Sequence, residues 1–152
     1  RARVDALLED ERERGDFAGA ARRLGPRPRL QTVEERMLAA DAFRLSNHPA
    51  RAFAVLESVV KTAPDDPRAP LALFTQARLL LDDLKQPQRA AVRFERLRQR
   101  YPSSSLVEDA LAREAEAWSR AGRADLARER AELYRQRYPD GHRADWVRRF
   151  AP

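Results

Sequence analysis

The stretch KQPQRAAVRFERLRQRYP, residues 85–102, contains the pattern that decides the fold. It begins with a short polar turn before Ala90, and Pro102 follows that alanine after twelve residues. Phe94 and Leu97 lie four and seven residues beyond Ala90, which places all three on one face of a helix. The stretch therefore predicts a turn, a helix with one apolar face, and a proline that ends the unit.

The same pattern occurs in two other segments and, without its proline, near the start of the chain. Ala52 is followed after twelve residues by Pro64, and Ala127 is followed after twelve residues by Pro139. A similar turn, residues 15–20, begins the copy near the start. An amphipathic stretch precedes each turn; these stretches are residues 4–14, 33–46, 71–84 and 106–121. Repetition at this spacing predicts a series of helix pairs.

Capping signals occur at three of the predicted helix starts. Residues 32–35 (TVEE) and 105–108 (SLVE) both fit a capping box, in which side chains satisfy the free amides of the first turn. Asp66 and Pro67 offer an N-cap residue followed by proline at the first helical position. We expect helices to begin directly after Thr32, Asp66 and Ser105.

The pattern of turn, alanine and proline resembles the tetratricopeptide repeat, a helix pair with a small residue in its second helix and a proline at its end. The resemblance covers about residues 1–140, with repeat position 1 at Arg1, Val33, Leu71 and Glu108. Arg78 departs from it, because position 8 of the repeat is usually a small residue. The resemblance implies an all-α fold, a right-handed superhelical α-solenoid of about four helix pairs plus a C-terminal capping helix.

The resemblance also implies how the chain is divided. We expect one domain, 1–152, with repeats at about 1–31, 32–66, 67–104 and 105–140, as part of a longer protein. The capping helix is expected at 141–150. Stacked repeats leave an apolar face open at the end of the array, and we expect Trp146 and Phe150, which share one side of the capping helix with Val147, to cover it.

The ending Arg-Tyr-Pro occurs twice, at residues 100–102 and 137–139. It is similar to the longer repeat variant of bacterial cell-envelope proteins, such as the BamD-like outer-membrane assembly lipoproteins and the Tol-Pal coordinator. Similar arrays occur at the C-terminal end of some bacterial sigma-factor regulators. The resemblance implies a protein of the bacterial cell envelope, either free in the periplasm or tethered there, with a cytoplasmic regulator as the alternative.

The composition argues against catalysis and against a bound cofactor. The chain has no cysteine and two histidines, His48 and His142, which are far apart in the sequence. It contains no glycine-rich phosphate loop, no HExxH motif and no nucleophile elbow. We therefore expect a protein that is not an enzyme and that uses no metal or cofactor. No apolar run is long enough to cross a bilayer.

In the family that the chain resembles, positions 2, 5, 9, 12 and 13 of the first helix line a concave groove that holds a partner peptide or helix. The resemblance therefore implies the partner-binding residues Met37, Asp41, Arg44, Leu45, Thr75, Leu79, Asp82, Asp83, Asp109, Ala112, Glu116 and Arg120. Ala2 and Asp5 hold such places in the first repeat. Because acidic residues outnumber basic ones at these positions, we expect a protein partner that is basic or amphipathic.

The second helix of the third repeat has the opposite charge. We expect a basic outer face there, formed by Arg89, Arg93, Arg96 and Arg100. Such a face allows a second function, the binding of an anionic partner. Nucleic acid is an unfavourable partner, because aromatic platforms for bases are not interleaved with the charges. A third possibility is a structural spacer or oligomerisation domain, and the sequence does not decide the oligomeric state.

Overall fold

The computed structural model describes the backbone of residues 2–152, together with the side chains of residue 6 and residues 8–152. Within this part of the chain every regular element is a helix, which confirms the predicted all-α fold. The helices are α1 (Ala2–Arg14), α2 (Phe17–Leu24), α3 (Val33–Leu45), α4 (Pro49–Thr62), α5 (Ala69–Arg78), α6 (Pro87–Arg100), α7 (Val107–Arg120), α8 (Ala124–Arg137) and α9 (Ala144–Val147). A π-helical segment, Leu79–Asp83, continues α5, and a 3-10 helix, Arg148–Phe150, continues α9. Arg1 and the side chains of Ala2 and Asp5, which include predicted groove positions, lie outside the described residues.

The chain forms two compact units, Arg1–Ala72 and Leu73–Pro152. In the first unit α3 packs against α1, α2 and α4. Its core includes Leu8, Ala20, Leu38 and Ala42. In the second unit α7 packs against both α6 and α8. The repeat boundaries and the right-handed superhelix stay predictions.

A residue with left-handed backbone geometry precedes the second helix of each pair. Gly15, Asn47, Lys85 and Gly122 have φ angles of 69°, 66°, 53° and 77°, and each lies two residues before the next helix. In three of these turns the following amide donates to the carbonyl five residues earlier. These bonds are Asp16 to Glu11 (2.9 Å), His48 to Phe43 (2.7 Å) and Arg123 to Trp118 (2.9 Å). This pattern closes the end of a helix and reverses the chain.

The third turn contains one residue more than the others. Its Gln86 amide donates to the carbonyl of Leu80, six residues earlier, at 2.7 Å. The π-helical segment accommodates the extra residue, because a π-type bond spans one residue more than an α-type bond. The Leu84 amide accordingly donates to the carbonyl of Leu79 at 2.8 Å.

The extra residue shifts α5 by one position relative to α3 and α7. Ala40 and Ala115 lie seven residues before their left-handed residues and are buried. In α5 the buried alanine is Ala77, eight residues before Lys85, whereas Arg78 is exposed. The departure expected at Arg78 is therefore wrong, because Ala77 occupies the small-residue position.

A buried polar side chain precedes the small residue in both α5 and α7. Gln76 and Glu114 are fully buried. Arg93 donates to Gln76 Oε1 at 2.7 Å, and Arg130 donates to Glu114 Oε1 at 2.6 Å. Arg93 and Arg130 each lie eight residues after the left-handed residue of their own turn. The pair Gln76–Arg93 is therefore equivalent to the pair Glu114–Arg130 only if α5 is shifted by one position relative to α7.

Glu114 connects three helices of the second unit. Its second carboxylate oxygen accepts from Arg98 Nε of α6 at 2.7 Å, while the first accepts from Arg130 of α8. The side chains of Arg98 and Arg130 are only 10% and 15% exposed. Burial lowers the pKa of Arg130, but hydrogen bonds to Glu114 and Glu129 outweigh it, so that its pKa lies above the ordinary value. The two guanidinium groups share the single Glu114 charge, and Arg130 is also paired with Glu129 at 2.6 Å.

One of the three capping predictions is confirmed at the helix starts. Thr32 Oγ1 accepts from the Glu35 amide at 3.0 Å, and Glu35 Oε2 accepts from the Gln31 amide at 2.7 Å. This reciprocal pair satisfies two amides at the start of α3.

The capping predictions for Ser105 and Asp66 are wrong. Helix α7 begins at Val107, because Ser104 Oγ, not Ser105, accepts from the Leu106 amide at 3.2 Å. Helix α5 begins at Ala69, since Asp66 accepts from the Arg68 amide at 2.9 Å and forms a local turn instead of a cap.

The C-terminal segment packs on one end of the second unit. Val147 and Ala151 are buried in a cluster with Leu111 and Ala112 of α7. Trp146 and Phe150, whose ring centroids are 5.1 Å apart, pack against the same cluster and are partly buried. The segment therefore covers apolar side chains of α7 and α8.

The hydroxyl of Tyr134 fixes this segment to α7. It donates to Glu108 Oε1 at 2.7 Å and accepts from the Arg143 amide at 3.0 Å. Burial, together with the bond to Glu108, raises the pKa of Tyr134 to about 12. Tyr134 is thus a neutral donor throughout the ordinary pH range.

We predict that Glu114→Ala lowers the free energy of unfolding by about 3–5 kcal/mol, because it removes the buried anion that Arg98 and Arg130 share. Glu114→Gln is expected to cost less, since it recreates the acceptor that Gln76 provides in α5. The control is Glu129→Ala, which removes an exposed partner of Arg130 and should cost less than about 1 kcal/mol. Urea unfolding followed by tryptophan fluorescence is suitable, because Trp118 and Trp146 both lie in the second unit. Equal losses for Glu114→Ala and Glu129→Ala would contradict this role of Glu114.

Candidate partner-binding face

The four predicted groove residues of the first unit lie on α3. Met37, Asp41 and Arg44 are partly exposed, and Leu45 is 47% exposed. Arg44 donates to Asp41 Oδ1 at 3.3 Å, so the acid already has a cation three residues away on its own helix. The prediction that these residues bind a partner stays a prediction.

Two of the predicted groove residues in the second unit, Leu79 and Ala112, are buried, so their assignment to the groove is wrong. Leu79 is 2% exposed, because the π-helical segment turns it into the core. Ala112 is fully buried, because it lies in the cluster that includes Val147 and Ala151 of the C-terminal segment. Neither side chain is positioned to contact a partner.

A stripe of exposed and partly exposed side chains on α5 is accessible to a partner instead. Leu71 is 47% exposed, Phe74 and Thr75 are partly exposed, and Arg78 is exposed. Residues spaced by three, four and seven positions share a helix face. Sequence reasoning assigned Thr75 to this surface but missed Leu71, Phe74 and Arg78, because the unrecognised extra residue displaced the repeat register.

Four charged side chains join the π-helical segment to α7. Arg113 donates to Asp82 Oδ2 at 2.6 Å and to Glu116 Oε2 at 2.5 Å. Arg120 donates to Glu116 Oε1 at 2.5 Å and lies 3.4 Å from Asp82 Oδ1. We call these residues the charge quartet; it contains two cations and two anions and has no net charge. Arg120 also donates to the Leu81 carbonyl at 3.4 Å, which ties α7 to the π-helical backbone.

The remaining predicted acids of the second unit are Asp83 and Asp109. Asp83 is exposed. Asp109 Oδ1 accepts from Arg143 at 2.7 Å and lies 2.8 Å from His142 Nε2. Burial raises the pKa of Asp109, but the bonds to Arg143 and His142 outweigh it, so that its pKa lies below the ordinary value. Since Asp82, Asp109 and Glu116 are paired with arginine, the predicted attraction for a basic partner is not supported.

The predicted basic outer face on α6 contains three of its four arginines. Arg89, Arg96 and Arg100 are exposed, and Val92, between them on the helix, is 42% exposed. The assignment of Arg93 to this face is wrong, because its guanidinium turns toward α5 and binds the buried Gln76.

A pocket of about 340 Å³ lies in the first unit and was not expected from the sequence. The proline-rich loop between α2 and α3 forms one side of it through Pro26 and Pro28. On the other side, Arg51 of α4 stacks over the ring of Phe43, 4.0 Å from its centroid, and donates to the Gly25 carbonyl. The aromatic and aliphatic lining resembles a packing gap beneath a loop.

Among the side chains of residue 6 and residues 8–152, no grouping of histidine and carboxylate groups is arranged to hold a metal ion. In residues 2–152 no helix has both the length and the apolar composition needed to span a bilayer.

The comparison with protein families gives a match over one part of the chain. Residues 71–104, from the exposed start of the α5 stripe to the turn after α6, match the family model of the tetratricopeptide repeat. No curated protein matches the chain. The match supports assignment to the tetratricopeptide repeat family, whose members are generally non-catalytic modules that bind other proteins.

We predict that cysteine labelling will report the shifted register of α5. The chain has no cysteine, so Arg78→Cys and Leu79→Cys each introduce a single thiol. A maleimide dye should label Arg78→Cys rapidly and Leu79→Cys at least about 100-fold more slowly, because a buried thiol reacts only after local opening.

Two controls accompany this measurement. Ala77→Cys should be protected like Leu79→Cys, since Ala77 is fully buried. All three variants should react alike in denaturant. Faster labelling of Leu79→Cys than of Arg78→Cys in the folded protein would show that α5 has the regular register instead.

Proposed function

We propose that the chain is a non-catalytic interaction module that docks a peptide or helix of another protein on the second unit. The docking surface, which we call the inner face, consists of Phe74, Thr75, Arg78, Asp82, Asp83 and Arg120. One observation carries the proposal. These residues are partly or fully exposed, and they either lie on the repeat that matches the family model or, as Arg120 does, contact that repeat through the charge quartet. The family's use of its first helices for binding supports the choice of this face.

The charge quartet supports the proposal through its rigidity. Arg113 is 16% exposed, and both of its terminal nitrogens are bonded to carboxylates of Asp82 and Glu116. A surface whose side chains are already held by bonds of this kind loses little conformational entropy when a partner docks. The neighbouring Phe74, Thr75 and Arg78 then supply the contacts that differ between partners.

We propose further that Met37, Asp41, Arg44 and Leu45 of α3 form a docking surface of the first unit. The two Arg-Tyr-Pro endings support a role in a bacterial cell-envelope assembly, with a sigma-factor regulator as the alternative. The exposed Arg89, Arg96 and Arg100 of α6 favour a second docking surface for an anionic partner.

Peptide selection followed by nuclear magnetic resonance tests the proposed face. A phage-displayed library of random 12-residue peptides is selected on the purified chain, and the enriched peptides are synthesised and titrated into ¹⁵N-labelled protein. We expect the largest amide shifts at Thr75, Arg78, Asp83 and Arg120, since binding alters the environment of the residues it covers.

The outer face provides the control for this mapping. Shifts centred on Arg89, Arg96 and Arg100 would place binding on α6 and overturn the assignment to the inner face. Failure of the library to enrich any peptide above an unrelated helical protein would contradict the peptide-docking function itself.

A further inference from the structure

Arg78 differs in charge from the residues that hold the equivalent place in the other described pairs. In the shifted register, Arg78 of α5 corresponds to Asp41 of α3 and Glu116 of α7. Asp41 is paired with Arg44, and Glu116 is paired with Arg113 and Arg120, each within four residues on its own helix. At both of these places the charge is therefore compensated inside the protein.

The two anions nearest to Arg78 in the sequence are Asp82 and the exposed Asp83, and neither forms an ion pair with it. Its neighbours three and four residues away are Phe74, Thr75, Leu81 and Asp82. Asp82 is engaged by Arg113 at 2.6 Å and lies 3.4 Å from Arg120. Among the residues that the structure describes, none forms an ion pair or hydrogen bond with the Arg78 guanidinium. This arginine thus presents an uncompensated positive charge to solvent.

Apolar surface lies beside this charge on the same helix. Leu71 is 47% exposed and precedes Arg78 by seven residues, which is two turns or about 10.5 Å along the axis. Phe74, one turn from each, is partly exposed, and the edge of its ring packs on Phe94 of α6 at 5.5 Å between centroids. The stripe therefore combines a fixed aromatic ring, an exposed leucine and a cation.

We infer that Arg78 selects partner segments that carry a carboxylate side chain about 10 Å from an apolar side chain. The carboxylate pairs with the Arg78 guanidinium, and the apolar side chain packs on Leu71 and Phe74. In a partner with polyproline II geometry this distance corresponds to three residues, and in a helical partner to seven. The inference rests on the proposed docking function and gives its partner an acidic and apolar character, opposite to the basic partner expected from the sequence.

Charge complementarity favours a carboxylate over other ligands. A guanidinium offers paired N–H donors that match the two oxygens of a carboxylate. The charge quartet next to it has no net charge, so this end of the face does not present the clustered cations that a polyanion such as nucleic acid or a lipid headgroup layer requires. One cation flanked by apolar side chains fits a short acidic segment of a protein.

Parallel selections test this inference with the random 12-residue phage library. The targets are the wild type, Arg78→Glu, and the control Arg128→Glu, which reverses an exposed charge on α8. We expect the wild type and Arg128→Glu to enrich peptides with Asp or Glu near an apolar residue, and Arg78→Glu to lose that enrichment. Arg78→Gln should weaken the best acidic peptide about tenfold in fluorescence anisotropy, as expected for one charged hydrogen-bonded contact.

A double-mutant cycle separates this result from a general loss of binding. The Glu→Gln version of the peptide should bind the wild type about tenfold more weakly, and Arg78→Gln should not weaken it further. If the selected peptides bind the inner face without enriched acids, or if Arg78→Glu enriches the same acidic motif, the inference is wrong while the docking function stands. If no peptide is enriched on the wild type, both are wrong.

Discussion

The turn between the two helices of a pair is the constraint on which the rest of the structure depends. In each turn a left-handed residue is followed by an amide that donates back into the preceding helix, and the second helix starts two residues later. This geometry fixes the distance between the end of one helix and the start of the next. When the third turn contains an additional residue, the preceding helix widens into a π-helical segment and the turn keeps its form. The side chains before that segment are then displaced by one position.

Buried polar contacts turn this local geometry into a fixed packing of helices in the second unit. Glu114 is fully buried and accepts from arginines of α6 and α8, so that one carboxylate holds the helices on both sides of α7. The charge quartet does the same between α7 and the π-helical segment. Such pairs contribute little net stability compared with apolar packing, but a missing partner is costly. They favour one register of the helices over others, and that register decides which residues of α5 reach the surface.

The sequence predicts the helix pairs because their signals are local. These signals are glycine or asparagine at three of the turns, small residues in the second helices, and regularly spaced prolines. Each of them reflects backbone geometry within a few residues. The capping box at Thr32 is recognised for the same reason. Ser105 also fits the motif, but Ser104 accepts from the Leu106 amide in its place, and Glu108 is bound by Tyr134, which lies 26 residues away. Long-range contacts of this kind have no signature in one sequence.

The register of α5 illustrates the limit most clearly for the candidate site. The prolines at 64, 102 and 139 are spaced by 38 and 37 residues. This difference indicates that the third repeat contains an extra residue, but it does not show where in the repeat that residue lies. Leu79, Leu80 and Leu81 are all apolar and all buried, so no polar residue marks the insertion. Leu79, which was expected in the groove, is consequently buried, and the small-residue position expected at Arg78 is held by Ala77. The pairing of Arg113 and Arg120 with acids was equally hidden, because it depends on how α7 meets the π-helical segment.

The hydrogen bonds of the third turn and the π-helical segment are tested most directly by the scalar coupling that passes through a backbone hydrogen bond. This coupling is recorded in a long-range HNCO experiment on deuterated protein. We predict a correlation between the amide of Gln86 and the carbonyl carbon of Leu80, and another between the amide of Leu84 and the carbonyl carbon of Leu79. A correlation from Gln86 to the carbonyl of Leu81 would give the third turn the same length as the other three. In that case the π-helical segment, the shifted face of α5 and the exposed place of Arg78 would all be contradicted.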